Sequence, residues 1–134
     1  MSLFGALTIS GGGIDAAQTW INTTASNVAN ANDVAPTSQG VYATEAPVFT
    51  PVNVGGSGAM GVQVSGVVRG STAGIVTHDP SSPLADAQGN VRTADVSMST
   101  QLVGLIAAQN DYQANARVLA QAKTAYQSAL TLGQ

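Results

Sequence analysis

Hydrophobic and polar positions over residues 98–130 follow one period. Steps of four and three from Met98 reach Leu102, Leu105, Gln109, Tyr112, Ala116, Leu119, Lys123, Tyr126 and Leu130, a heptad seam kept for more than four heptads. All but Gln109 and Lys123 are apolar or aromatic, the span has no proline, its one glycine is Gly104, and Ala, Gln and Leu dominate. The spacing predicts one long helix with a single apolar stripe. Burying the apolar members contributes ~1.5–3 kcal/mol each, against ~1–2 kcal/mol to fix each backbone residue. The stripe therefore needs a partner helix.

The same three-four spacing recurs at Ile14, Ala17, Ile21, Thr24 and Val28, predicting a second amphipathic helix that ends near Asn30 to Asn32. Gly11, Gly12 and Gly13 would each cost about 1 kcal/mol inside a helix, so the expected start is Ile14, with Asp15 near the positive end of the dipole. Phe4 and Leu7 join only if a neighbour supports that turn. No Lys-Ser/Thr follows the glycines and no strand precedes them, which argues against a phosphate loop. Asn27, Asn30, Asn32, Asp33 and Pro36 then break the helix. Beyond them come short β runs at Val41–Thr44, Val48–Thr50, Val62–Val64 with Val67–Val68, and Ile75–Thr77, with Gly55-Gly56-Ser57-Gly58 as a mobile loop. The region has too few large apolar residues for a core of its own. The expected fold is mainly α with a small β insert. Residues 1–34 and 97–134 form a discontinuous, coiled-coil-like helical domain, and residues 35–96 form a β-hairpin-rich insert.

Composition sharpens this. Of 134 residues only 8% are charged and 4% aromatic, and the net charge is −3. So few charges suit a chain whose surface is covered by other subunits, the plainer alternative being a small, weakly charged domain. The cations are Arg69, Arg92, Arg117 and Lys123, too few and too scattered for a nucleic-acid surface. The absence of cysteine removes disulfides, thiolate metal sites and a Cys nucleophile. The opening residues have no basic region and a short, glycine-broken apolar run, so no cleavable signal peptide is expected, and no stretch reaches the ~18–20 apolar residues of a membrane span.

Candidate chemistry is sparse. His78, the single histidine, stands beside Asp79, but neighbours in an extended segment point to opposite faces and no second His completes a metal site. The carboxylates are scattered singly. Gln109 and Lys123 inside the seam fit a role in setting register, and Asp111 and Arg117 fit solvated or inter-subunit charges. Catalytic, cofactor and metal residues are therefore expected to be absent, as is a small-molecule substrate. The competing expectation is a small peptidoglycan-binding or hydrolytic module using the β insert around His78 and Asp79.

Two segments carry a family likeness. Thr24 to Ala31, with Ala25, Ser26, Asn27, Ala29 and Asn30, resembles the signature with which the first helix of flagellar rod and hook axial proteins ends. Asp111 to Leu119, with Tyr112, Ala114 and Asn115, resembles their C-terminal run, and Leu130-Thr131-Leu132-Gly133 their closing residues. Within that family the short length, the opening Met1-Ser2-Leu3-Phe4 and the segment Asp79 to Val91 are similar to a short rod member rather than to the longer distal-rod and hook proteins. Gln109-Asn110 and Asn90 depart from the usual pattern, which has a basic residue and an aromatic there. The resemblance implies a non-enzymatic subunit of the proximal rod, exported without a cleavable signal through the flagellar type III apparatus. Its partners would be itself, other proximal and distal rod proteins and the hook-basal-body adaptor at the rod base. Its helices would be partly disordered until neighbours cover them. The expected assembly interface is Ile14, Ala17, Ile21, Val28, Leu102, Leu105, Tyr112, Ala116, Leu119, Tyr126 and Leu130.

Overall fold

The computed structural model describes residues 3–54 and 58–132. Helix α1 covers Leu3–Ala29 and helix α2 covers Met98–Leu132. Between them lie β1 (Val34–Ala35), β2 (Glu45–Val54), β3 (Ala59–Arg69), β4 (Ile75–His78) and β5 (Asn90–Thr93). The chain is thus mainly helical with a β insert. The helices are antiparallel: Asn27 meets Gln101, Gly13 meets Asn115, and the rings of Phe4 and Tyr126 sit edge to face at 5.7 Å.

Helix α1 begins at Leu3, not at Ile14, and runs through the three glycines. The glycines admit neighbours that a side chain would exclude. A Cβ on Gly13 would lie 2.5 Å from the Asn115 side chain, and one on Gly12 would lie 2.8 Å from the Val62 carbonyl oxygen. Packing gained against α2 and β3 thus offsets the low helix propensity.

The contact between the helices is built from small residues. Ser10, Gly13, Ala16, Ala17, Thr23, Thr24 and Asn27 are buried on α1, and Ala108 and Ala122 on α2. This line is displaced by one residue from the heptad seam in both helices: Ala17 and Thr24 lie on it, whereas Ile14, Ile21 and Val28 are only half-buried beside it. Small side chains let two backbones approach closely, and they leave the larger apolar residues to point elsewhere.

The β region differs in detail from the expected short runs. Val48–Thr50, Val62–Val64 and Val67–Val68 are parts of one long antiparallel hairpin, β2–β3, with a register shift between Val48 and Phe49. The expected strand at Val41–Thr44 does not form. Val41 is instead a core residue, its N–H donating to the Thr72 carbonyl (2.9 Å), while the Tyr42 N–H donates to Asp33 Oδ2 (2.7 Å). The strand expected at Ile75–Thr77 is present as β4. Of the glycine-rich loop only Gly58, at φ +72°, belongs to the described residues; Gly55 to Ser57 lie outside them.

Both hairpin edges are protected. Strand β2 carries Pro47 and Pro51, which cannot donate to a further ladder, and the Val62 carbonyl of β3 faces Gly12 of α1. The second sheet has the antiparallel order β1-β5-β4. It joins the exit of α1 to the entry of α2, since β1 pairs with β5 through Val34–Thr93 and Ala35–Arg92. Val41, Val91, Ala35 and Ala94 form its small core.

The glycines separate by their surroundings. Gly11, with nothing within 4 Å of an added Cβ, is expected to gain about 0.5–1 kcal/mol as Gly11→Ala from helix propensity. Gly12→Ala should lower stability, because its methyl group would meet a backbone carbonyl. Denaturant midpoints followed by helix circular dichroism check both signs; equal gains for the two variants would contradict the close approach.

Candidate assembly surface

Asn27, in the first family-like segment, is the best-connected polar side chain of the fold. It is 2% exposed. Its Nδ2 donates to the Glu45 carbonyl (2.8 Å) and to Gln101 Oε1 (2.9 Å), and its Oδ1 accepts from the Glu45 N–H (2.8 Å) and the Tyr42 hydroxyl (2.9 Å). One amide thereby ties the end of α1 to the start of β2, to the connecting segment and to α2. Ser26 Oγ lies 3.1 Å from the same hydroxyl. The Ser26 carbonyl takes both the backbone N–H and the Nδ2 of Asn30, which closes the last turn. Ala25 and Ala29 are exposed.

In the second family-like segment Asn115 is half-buried against Gly13 and donates to the Asp111 carbonyl (2.9 Å). Tyr112 and Ala114 are exposed. The two asparagines therefore lie on the same inter-helix line, Asn27 near one end and Asn115 near its middle. Tyr42, Glu45 and Gln101, which complete the Asn27 node, were not expected. A polar residue on the buried line of a helix was the available signal.

The expected interface residues separate into two groups. Ala17 is buried within the chain, and Ile14, Ile21, Val28, Leu105, Ala116 and Leu119 are half-buried. Leu102, Tyr112, Tyr126 and Leu130 are exposed, Leu130 at 54%. Val103, Ile106 and Leu132 join them although they fall off the heptad, with Leu132 at 88%. Large apolar side chains thus stand in solvent along much of α2.

His78 ends β4, and Asp79 opens the turn that follows it. His78 Nδ1 is 3.2 Å from Asn90 Oδ1 across the β4–β5 pair. The Asp79 carboxylate accepts from the Ser81 hydroxyl (2.6 Å) and N–H (3.2 Å), and Asp86 Oδ1 accepts from the N–H groups of Asn90 and Gln88. The Ser81 hydroxyl holds the Asp79 carboxyl below its ordinary range, and the Asn90 N–H does the same for Asp86. Among the described residues no group of three or more His, Cys, Asp or Glu could hold a metal ion, and no helix is long and apolar enough to cross a membrane.

Asn27→Ala should cost about 2–4 kcal/mol, since it orphans at least two buried groups at ~1–3 kcal/mol each; a chemical-denaturation midpoint close to that of the parent chain would contradict the node. A carboxylate with a depressed folded pKa stabilises above the unfolded value of about 3.9 and loses that contribution as pH falls through the folded value. The turn at residues 79–89 should therefore loosen only in acid below the ordinary carboxylate range, read as faster amide exchange at Ser81 and Asn90. Loosening near neutral pH would show that other groups hold it.

Comparison with known proteins places this helix pair. The family model described as flagellar basal body rod FlgEFG protein C-terminal matches residues 87–132, which take in β5 from its start and all of α2. The flagellar basal-body rod protein FlgC of Yersinia enterocolitica is 34% identical over 134 residues, covering all of both chains. Those of Escherichia coli O6:H1 and Salmonella typhimurium are each 33% identical, again over the full length of both chains. With its two asparagine-centred signatures facing each other's helices in one pair, the chain belongs to the FlgC family of flagellar basal-body rod proteins, structural subunits of the bacterial flagellum.

Proposed function

We propose that this subunit polymerises through its terminal helices into a helical tube, the proximal rod, which carries motor torque across the periplasm. Residues 1–34 and 97–134 act as the axial part, and residues 35–96 act as an insert bound to it. The subunit acts without catalysis. It reaches the rod through the flagellar type III export apparatus without a cleavable signal, and it meets further copies, other proximal and distal rod proteins and the adaptor at the rod base.

One observation carries the assembly reading. The helices pack on each other through Gly, Ala, Ser, Thr and Asn, while Leu102, Tyr112 and Leu130 of α2 remain exposed. A monomer gains nothing from that arrangement, whereas a subunit with neighbours buries ~25 cal/mol of stabilisation per Å² of apolar surface covered. Heterologous contacts that do not close extend into a filament. The name of the relatives, flagellar basal-body rod protein, supports the same architecture.

Leu130→Asp tests it at a site with little to lose in the free chain. Placing a carboxylate in a packed interface costs several kcal/mol, so the variant should be secreted at the parent level yet be absent from purified basal bodies. Gln121→Asp, also exposed and about 180° away around the helix, should be incorporated. Equal incorporation of the two would show that this face of α2 stays in solvent.

A further inference from the structure

Two features flank the first turns of α2. On one side an open cleft of about 400 Å³ lies between α1, the start of α2 and the start of β2, walled by Trp20, Thr24, Ala46, Pro47 and Gly104. A Cβ on Gly104 would have the Trp20 Nε1 as its nearest neighbour at 3.6 Å, so the missing side chain leaves the cleft open without any close approach that demands glycine. On the other side Met98, Leu102, Val103 and Ile106 are exposed, Val103 at 68% and Ile106 at 59%. At about 100° per residue, Leu102 and Ile106 point about 160° away from Gly104. Patch and cleft therefore stand back to back at one level of the helix and cannot meet within one chain.

Neither side carries much charge. Residues 96–110 contain no Asp, Glu, Lys or Arg. At the cleft, Glu45 is already paired with Arg69 at 2.9 Å, which leaves Asp95 as the one uncompensated charge among its described lining residues. A neutral apolar ridge loses no ion hydration on entering such a cleft, whereas a charged ligand would. We infer that Leu102, Val103 and Ile106 of one copy seat in the Trp20–Gly104 cleft of a second copy at the same level, making a lateral, heterologous contact. Each copy that docks by its ridge still presents an open cleft, so the contact propagates around the tube axis. This inference rests on the assembly reading above and names one of its contacts.

Gly104→Leu fills the cleft from within the same chain and replaces a helix-interior glycine, so the monomer should be at least as stable as the parent. Its amount in basal bodies, relative to the amount secreted, should fall by about tenfold or more, as a lost contact burying two or three apolar side chains requires. Incorporation at the parent level overturns the inference. A second measurement uses the lack of native cysteine: Val103→Cys combined with Ala46→Cys should give a ladder of cross-linked copies in basal bodies, with neither single variant cross-linking. Cross-linking of Val103→Cys alone, cross-linking to another rod protein only, or no ladder at parental incorporation each overturns the lateral contact. Those results leave the assembly reading standing; parental incorporation of Leu130→Asp would remove the reading itself.

Discussion

The structure depends on how closely two antiparallel helices approach each other, and on the amide that fixes their register. Gly13 against Asn115 sets the spacing near the middle of the line. At the end where α1 leaves the pair, Asn27 uses both amide hydrogens and both carbonyl lone pairs on three separate parts of the chain. A buried, fully satisfied polar group specifies one arrangement more sharply than apolar packing does, because any slip leaves it unpaired. The β insert follows from that anchor. Strand β2 starts at the Asn27 node, and β1 and β5 join the ends of α1 and α2.

Small residues between the helices and large ones outside them form one design. An apolar stripe on a lone helix pair would ordinarily turn inward. Here Ala108 and Ala122 occupy the inward line of α2 while Leu102, Val103, Ile106 and Leu130 face out. The helices pair by close backbone contact and the Asn27 hydrogen bonds and leave several of the larger apolar side chains of α2 exposed. The low charge content belongs to the same logic, since charges on those faces would have to be desolvated on assembly.

The helical part of the fold was legible in the sequence because periodicity over thirty residues is hard to produce otherwise. The start of α1 was not, since propensity alone penalises Gly11 to Gly13 and the compensation comes from Val62 and Asn115, far away in the chain. The heptad located α2 but placed its contact with α1 one residue off, because it weights large side chains and the inner line is made of small ones. Strand β5, Asn90–Thr93, was missed because Val91 is its one apolar residue, whereas β4, equally short, offers Ile75 and Val76, and Val41–Thr44 was taken as a strand because β-branched residues also suit a buried loop. The node residue Asn27 was visible through the family-like segment, whereas its partners Tyr42 and Gln101 carry no local signal.

The central claim is that the exposed stripe of α2 is covered by neighbours in the rod. Since the chain has no cysteine, Tyr112→Cys can report on it directly. The measurement is the rate at which a soluble maleimide labels that thiol in the secreted subunit and in purified basal bodies, with Gln113→Cys as reference. The account predicts fast labelling of both positions in the free subunit and strong protection of position 112, relative to 113, in the rod. Equal labelling of position 112 in the two states would contradict it.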